Sequence, residues 1–284
     1  MNRFIEVIKP KQTTLLMVTC IVSYIVASNT LNRQFDPVNF LKTCVATALA
    51  ISGTTALNMW LDRDIDALMY RTRNRPVPSG RLSPRACALY GSALFSIGFL
   101  LGLSFNVYLA FVLFLGLVFD IFVYTILLKR KSPYSIVLGG FAGAMPALAG
   151  WVAVRNEDIL GGLIISSIVL LWIPAHIWYI SMHYEEDYRR ARIPMYPLIV
   201  GMEKASWTIV FTTSIILILI AVLYILVLKD NLYLIISSFA ITYFLYKAVE
   251  FARDPNRFEA KKMYKLASMT LGIIYISMLI CSFF

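Results

Sequence analysis

The sequence predicts an all-α, polytopic membrane protein with nine transmembrane helices. Hydrophobic residues make up 59% of the 284 residues and mean hydropathy is +0.73, whereas roughly 45–50% apolar residues are usual in soluble domains. Nearly uncharged runs recur along the whole chain, each about the 20 residues that a helix needs to cross a bilayer. Such runs exclude a β-barrel, because barrel strands show short alternating patterns.

The nine runs set the limits of the predicted spans to within a few residues. They cover residues 13–31, 38–57, 86–104, 107–128, 134–154, 159–182, 204–228, 231–250 and 265–284. We find no soluble domain between them, and we expect residues 1–284 to form a single transmembrane domain.

The distribution of Lys and Arg predicts the orientation of the spans. Of these 26 residues, 22 lie in the N-terminal tail and in alternate links. The other links hold only Arg33, Lys42, Arg155 and Lys229. By the positive-inside rule the N-terminus is cytoplasmic and the C-terminus lies outside, in a multi-pass protein of the cell membrane. The same asymmetry accounts for the net charge of +10 without a nucleic-acid partner.

An acidic segment follows the second span. Asn58, Asp62 and Asp66 are spaced at i, i+4 and i+8, so a helix would place them within an arc of about 80°. Their oxygens would repel one another unless a hard cation were bound, and Mg²⁺ takes such ligands together with substrate phosphates. The alternative is a solvated helix end. The spacing favours a magnesium site near the cytoplasmic face.

Basic residues on the same predicted side suit an anionic substrate. Arg71 and Arg75 are four residues apart, and Lys129 and Arg130 form a short basic link. Guanidinium groups offer paired donors to phosphate oxygens. These residues could also serve only to set the topology.

A second acidic segment ends the sixth span. His176, His183 and Asp187 are separated by seven and four residues, so a continuous helix would place all three on one face. Glu186 could join Asp187 in metal binding, and Arg189 follows. Two acidic segments that face one another across a bundle could hold Mg²⁺ and a diphosphate between them. His176 could instead be a hydrogen-bonded core residue, and His183 could cap the helix end.

Three further features have open interpretations. The glycines within residues 138–146 favour either close helix packing or a substrate cavity. Asp120, a charge inside the fourth span, could be structural or catalytic. The last third of the chain, from Lys204 on, offers little chemistry, so we interpret it as scaffold with a basic loop that sets topology and faces lipid.

The acidic pattern at 58–66 resembles the first signature of the UbiA superfamily of intramembrane prenyltransferases. Within it, four blocks are similar to the haem O synthase family. They are Asp62–Pro84, Tyr124–Arg130, Gly139–Trp151 and Pro174–Pro197. The match spans roughly residues 50–200, and the four blocks in order make it specific.

The resemblance implies nine helices around a central cavity and Mg²⁺-dependent ionisation of an allylic diphosphate. It also implies transfer of a farnesyl or longer prenyl group to the 2-vinyl group of haem B, with addition of water, to give haem O. Asn58, Asp62 and Asp66 match the first metal motif and Asp187 matches the second. His176 matches a histidine that would contact haem.

The chain departs from that family in the second motif. Ala175 and Ile177 replace the usual Pro and Phe beside the histidine. Glu185 stands where Lys or Arg is usual, which removes a possible phosphate contact. Glu186 stands in place of an aspartate and keeps a metal-binding carboxylate.

These considerations define the expected site and its ligands. Asn58, Asp62, Asp66 and Asp187 are the predicted catalytic residues, and with Glu186 they would bind Mg²⁺. The predicted substrate-binding residues are Arg71, Arg75, Lys129, Arg130, His176, His183 and Arg189. The expected ligands are farnesyl or longer prenyl diphosphate and haem B, within a lipid bilayer.

Three rival functions have distinct consequences. A related prenyltransferase would act on a quinone precursor or a glycerol phosphate lipid. A transporter would use Asp62, Asp120 and Asp187 as an ion path and would show flux without turnover. A haem chaperone would bind haem without modifying it.

Overall fold

The computed structural model describes residues 2–30 and 35–284. All regular elements in these two ranges are helical, and nine of the helices there are long and apolar enough to cross a membrane. They are α1 (Pro10–Asn29), α2 (Pro37–Leu61), α3 (Pro84–Leu103), α4 (Val107–Leu128), α5 (Ser135–Val154), α6 (Leu160–His183), α7 (Met202–Leu228), α8 (Asn231–Arg253) and α9 (Arg257–Cys281). The predicted fold class is confirmed. Arg33 and the predicted end of the first span at residue 31 lie outside the described residues.

Four short helices lie between or before the long ones. They are Arg3–Val7, Arg63–Leu68, Glu185–Arg190 and Tyr196–Val200. They lie in the N-terminal segment and in the links that follow α2 and α6, which all belong to the end of the bundle where α1 begins. We call this the site end, because the cavity described below lies there.

Side-chain caps explain several helix ends. The Asp36 carboxylate accepts hydrogen bonds from the backbone N–H groups at positions 38 and 39, and so caps α2. Asn256 caps α9 in the same way. Because of this cap α9 begins at Arg257, whereas hydropathy predicted a start at residue 265. Its first two turns carry polar residues, which hydropathy does not assign to a span.

Glycines bring neighbouring helices into close contact. A Cβ atom on Gly53 of α2 would lie 2.5 Å from the backbone nitrogen of Phe95 on α3. One on Gly150 of α5 would lie 2.1 Å from the carbonyl oxygen of Cys20 on α1. Only glycine allows backbones to approach this closely, which is a common way to pack helices in a membrane.

The second half of α4 is wound as a π-helix over Val118–Leu128. Its last turn continues into Lys129, whose N–H donates to the carbonyl oxygen of Tyr124 at 2.8 Å. Wider turns of this kind are frequent at functional sites. The π-helical winding places Asp120, Tyr124 and Lys129 on the same cavity wall.

Candidate active site

A cavity of about 900 Å³ opens at the site end of the bundle. Its walls come from α1, α2, α4, α5, α6 and α9 and from the segment after α2. Most of the lining is apolar, but charged and amide side chains gather in one region. These are Lys9, Asn58, Asp62, Asp66, Arg71, Arg75, Asp120 and Lys129.

The first acidic segment lies on this cavity as the spacing predicts. Although α2 ends at Leu61, the N–H of Asp62 donates to the carbonyl of Asn58 at 2.9 Å, and the N–H of Asp66 to that of Asp62 at 2.8 Å. The helical register therefore continues into the short helix Arg63–Leu68. Both carboxylates are buried, with residue exposures of 1% for Asp62 and 3% for Asp66.

Each buried carboxylate has a cationic partner. Lys129 forms an ion pair with Asp62. The Arg75 guanidinium lies 2.6 Å from Asp66 Oδ2. Burial of a charge without a partner costs several kcal/mol, so these pairs hold the carboxylates in place.

Asn58 completes the group. Its Nδ2 donates to Thr125 Oγ1 at 2.9 Å, and its Oδ1 accepts from Lys9 Nζ at 3.5 Å. The amide oxygen therefore points towards the same side as Asp62 and Asp66. Asn58 links α2, the π-helical part of α4 and the residue before α1.

The side-chain oxygens of Asn58, Asp62 and Asp66 fit a hard cation that would also be coordinated by the substrate. Among the described residues no three His, Cys, Asp or Glu side chains are grouped closely enough to enclose a metal ion. Within the described ranges, Asp62 Oδ1 is nevertheless buried without a hydrogen-bond partner. Mg²⁺ is commonly bound by one or two carboxylates, waters and substrate phosphates rather than by a complete protein cage. Asn58, Asp62 and Asp66 offer oxygens of that kind.

Lys9 is a site residue that the sequence analysis missed. It precedes Pro10, has a left-handed backbone with φ of 47°, and directs its ammonium group towards Asn58. Burial, with repulsion from Arg75, lowers the pKa of Lys9 to about 8. In the sequence Lys9 counted only as one positive charge of the N-terminal tail. No local pattern indicated that its side chain turns inward.

The N-terminal helix Arg3–Val7 fixes the position of Lys9. Both Glu6 carboxylate oxygens accept hydrogen bonds from the Arg81 guanidinium at 2.8 Å. The rings of Phe4 and Tyr90 lie 5.1 Å apart, edge to face. The segment before α1 is therefore anchored to the loop before α3.

Asp187 does not line the cavity. Its Oδ1 accepts the backbone N–H of Tyr70 at 2.8 Å, and its Oδ2 accepts that of Arg71 at 3.1 Å. The sequence predicted one continuous helix through His183 and Asp187. However, α6 ends at His183 and a separate short helix begins at Glu185. This break turns Asp187 towards the segment after α2, where it holds the backbone of Arg71.

Arg71 and Arg75 both reach the cavity, as expected of the better phosphate-binding pair. The Arg71 guanidinium lies 3.4 Å from the Tyr188 hydroxyl and 5.2 Å from the centre of the Tyr184 ring. Arg73 instead lies over the Tyr70 ring at 4.3 Å.

The other predicted ligands lie outside the cavity. Arg130 pairs with exposed Asp64 at 2.6 Å, and Arg189 pairs with Glu185 at 2.6 Å. Glu186 lies 3.1 Å from Arg257.

His183 also lies outside the cavity. It contacts the carbonyl of Arg257 at 3.2 Å through Nδ1. These placements differ from those expected, and the substrate contacts of Arg130, His183 and Arg189 and the metal contact of Glu186 stay predictions. The reason for the difference is geometric, because α6 ends before the second acidic segment and Arg130 follows the last turn of α4 on its outer side.

His176 is hydrogen-bonded within the bundle and also lines the cavity. Its Nδ1 lies 3.1 Å from Ser268 Oγ, and its ring also lines the cavity. The ring centres of Trp172 and Tyr264 lie 4.3 Å and 4.6 Å from it. Because Tyr264 and Ser268 belong to α9, the interpretation of the last third as scaffold alone is wrong.

The glycines of α5 serve both close helix packing and the cavity, the two alternatives predicted for residues 138–146. Gly139, Gly140 and Gly143 all line the cavity. A Cβ atom on Gly139 would lie 2.6 Å from the Tyr124 ring, and one on Gly143 would lie 2.7 Å from Ile173. These positions therefore permit close packing and leave room in the cavity. Asp120 lines the cavity as well.

Asp187→Asn tests whether Asp187 positions Arg71 or binds metal. The amide keeps one acceptor oxygen but loses the other, so Arg71 is less firmly held. We expect KM for the diphosphate substrate that the resemblance implies to rise about 10-fold with kcat within about 3-fold, as the loss of one charge-assisted hydrogen bond suggests. Steady-state kinetics against Mg²⁺ concentration is the measurement. A large fall in kcat, with a higher Mg²⁺ concentration needed for half-maximal rate, would instead support the predicted metal role.

Comparison with known proteins identifies the family. The UbiA prenyltransferase family matches residues 13–272. The chain belongs to this family. It is a multi-pass membrane prenyltransferase.

Two relatives of similar length are named protoheme IX farnesyltransferase. The one from Archaeoglobus fulgidus is 62% identical, over 99% of this chain and 98% of the relative. The one from Korarchaeum cryptofilum is 45% identical, over 95% of this chain and 90% of the relative.

Solved structures share the fold at lower identity. A structure of digeranylgeranylglyceryl phosphate synthase has a TM-score of 0.82 at 21% identity, with 99% of this chain and 98% of that one aligned. A UbiA homologue from Archaeoglobus fulgidus, bound to DMAPP and Mg²⁺, has a TM-score of 0.70 at 14% identity, with 98% and 99% aligned. These likenesses establish the UbiA fold of the chain.

Proposed function

We propose that this prenyltransferase transfers a farnesyl or longer prenyl group from its diphosphate to the 2-vinyl group of haem B. Water then adds to the prenylated intermediate, and the final product is haem O. The observation that carries the proposal is that one cavity has two distinct parts. One part gathers the oxygens of Asn58, Asp62 and Asp66 with nearby cations, and the other is an aromatic wall around His176. The relatives named protoheme IX farnesyltransferase support haem as the acceptor.

The oxygen cluster is the proposed site of Mg²⁺. Asn58, Asp62 and Asp66 would hold the ion, with Asp62 Oδ1 as the free acceptor. Bound there, Mg²⁺ supplies positive charge that stabilises the diphosphate as the C–O bond breaks. The Mg²⁺ in the structure of the UbiA homologue supports this assignment.

The cations around the cluster are the proposed diphosphate site. Lys9, Arg71, Arg75 and Lys129 all line the cavity beside the carboxylates. They bind and orient the diphosphate, and they stabilise the negative charge that grows on the pyrophosphate as it departs. No protein nucleophile is needed, because the vinyl group itself supplies the electrons for the new carbon bond.

The apolar part of the cavity receives the prenyl chain and the acceptor. Gly139, Gly140 and Gly143 leave space along α5, and His176 with its aromatic neighbours forms the wall on the α6 and α9 side. This lining excludes water until the carbon bond has formed, after which water adds at the carbon next to the porphyrin ring.

We further propose that the site end faces the cytoplasm in the cell membrane. The excess of Lys and Arg in the links at this end supports that orientation. Prenyl diphosphates are charged at one end and apolar at the other, so a site near the membrane surface suits them.

Mass spectrometry of the reaction products tests the proposal. Purified protein with haem B, farnesyl diphosphate and Mg²⁺ is expected to yield haem carrying a farnesyl group plus water, and EDTA is expected to abolish this product. Product with only a longer prenyl diphosphate would correct the donor. Transfer to a quinone precursor or glycerol phosphate lipid, with none to haem, would contradict the proposed acceptor.

A further inference from the structure

We propose that Lys11 and Lys265 bind the two propionate groups of the haem acceptor at the opening of the cavity. The inference rests on the proposed function, because it concerns the acceptor of that reaction. It assigns a binding site to two lysines for which the sequence suggested only a topological role.

The cavity opens between α1 and α9. Lys11 and Leu15 of α1, and Lys265 and Met269 of α9, line the cavity and yet are exposed on its outer side. Leu15 is 66% exposed and Met269 is 64% exposed. Side chains that border both the cavity and the exterior mark the edge of an opening, and a ligand can enter between these two helices.

The register of the two helices places the lysines at the same level. At the opposite end of the bundle, Asn29 Nδ2 donates to Ser282 Oγ at 3.2 Å and ties α1 to α9. Lys11 lies 18 residues before Asn29, and Lys265 lies 17 residues before Ser282. At about 1.5 Å per residue, both lysines lie about 26 Å from that contact. They therefore stand on the two sides of the opening.

Both ammonium groups are available to an anion. Neither lysine has an ion-pair partner in the described ranges, 2–30 and 35–284, whereas Lys262 on the same helix pairs with Glu259 at 2.9 Å. Two unpaired cations at one level on the rim of the opening suit a ligand that carries two carboxylates.

Haem is such a ligand. Its propionates project from one edge of the flat porphyrin and its vinyl groups from the opposite edge. With the propionates on Lys11 and Lys265, the vinyl edge points into the cavity. The ring then lies beside Tyr264, which adjoins Lys265, and beside His176, which bonds to Ser268 one turn deeper on α9. Aromatic faces of this kind pack well against a porphyrin.

The competing role for these lysines is contact with lipid head groups, as expected near a membrane surface. That role would not depend on the propionates. The two possibilities can be separated with haem dimethyl ester, which keeps the vinyl groups and loses both negative charges.

The experiment compares haem and its dimethyl ester as acceptors, by turnover and by a binding titration that follows haem absorbance. The proteins are wild type, Lys11→Gln, Lys265→Gln, the double variant, and Lys262→Gln as the matched control. We expect KM and Kd for haem to rise about 3-fold in each single variant and about 10-fold in the double variant, as for partly exposed ion pairs. KM for farnesyl diphosphate should stay within about 2-fold, which also shows that the variants are folded.

The preference for haem over the ester decides the question. The ratio of haem use to ester use should be about 10-fold higher in wild type and Lys262→Gln than in the double variant, because the lysine variants and the ester remove the same ion pairs from opposite partners. Because the preference is compared between proteins, unequal partition of the two acceptors into detergent cancels. A ratio of haem turnover to ester turnover that is the same in wild type and in the double variant would overturn the propionate site alone. Absence of any transfer to haem by wild type would overturn the proposed function and this site with it.

Discussion

Asp62→Asn is expected to lower kcat/KM for farnesyl diphosphate about 1000-fold, because it removes charge where the metal and diphosphate would meet. Asp62 has the buried, unpartnered Oδ1 and also the ion pair with Lys129. Asparagine preserves the size of the side chain and one oxygen, so the change acts mainly on charge. Turnover measured by mass spectrometry over a range of Mg²⁺ concentrations checks the prediction, and partial recovery at high Mg²⁺ would support a ligand role.

Asp64→Asn provides the matched control. Asp64 lies on the short helix that directly follows Asp62 and also carries Asp66, but it is exposed and pairs with Arg130. Asp64 carries the same charge two residues from Asp62, yet it does not line the cavity. We expect activity within about 2-fold of wild type, because exposed ion pairs contribute little. An equal loss in both variants would show that the net charge of the segment matters and not the position of Asp62.

Stability must be measured alongside activity. Removal of one partner leaves Lys129 as a buried cation without its carboxylate, which can cost about 3–5 kcal/mol. The double variant Asp62→Asn with Lys129→Met removes both charges. It should regain thermal stability in detergent without regaining turnover. Recovery of turnover in the double variant would contradict the catalytic role of Asp62.

The parts of the site that follow local rules could be predicted from the sequence. Nine spans follow from the length of the apolar runs, and the convergence of Asn58, Asp62 and Asp66 follows from helical spacing. The register of these three residues continues through the end of α2 because backbone hydrogen bonds bridge the link at Asp62.

The missed and misplaced residues depend on where helices stop. A helical projection through Asp187 required α6 to continue, but it ends at His183, and the restart at Glu185 points Asp187 at the backbone of Tyr70 and Arg71. Hydropathy likewise did not predict the polar start of α9. The predicted span therefore left out Tyr264, which lines the cavity. These outcomes are set by caps and by contacts between distant segments, which periodicity does not report.

Lys9 shows the same limit in the N-terminal segment. Its inward direction results from a left-handed residue before Pro10 and from the docking of the preceding short helix through Glu6 and Arg81. The sequence shows only a lysine before a span, which is typical of the positive-inside pattern. Its role in the site is therefore a proposal that requires its own test.

Lys9→Gln is expected to lower kcat/KM for farnesyl diphosphate about 30- to 100-fold, because a half-buried cation beside the departing pyrophosphate is lost. The same change should raise the inhibition constant of inorganic pyrophosphate, which occupies the diphosphate site without a prenyl chain. Glutamine retains a hydrogen-bond donor for Asn58 Oδ1, so the local packing is preserved. Lys131→Gln, at an exposed lysine on the link after α4, is the control and should leave both constants unchanged.

The position of Lys9 also predicts how its effect depends on the N-terminal helix. Glu6→Gln leaves Lys9 itself unchanged but weakens the hydrogen bonds from Arg81 to residue 6 that anchor the N-terminal helix. We expect a loss of about 3- to 5-fold, since the broken pair is partly exposed, and almost no further loss when Glu6→Gln is added to Lys9→Gln. Such non-additivity would show that the N-terminal helix acts through Lys9. Fully additive losses would mean that the helix serves the fold and that Lys9 binds the diphosphate independently of it.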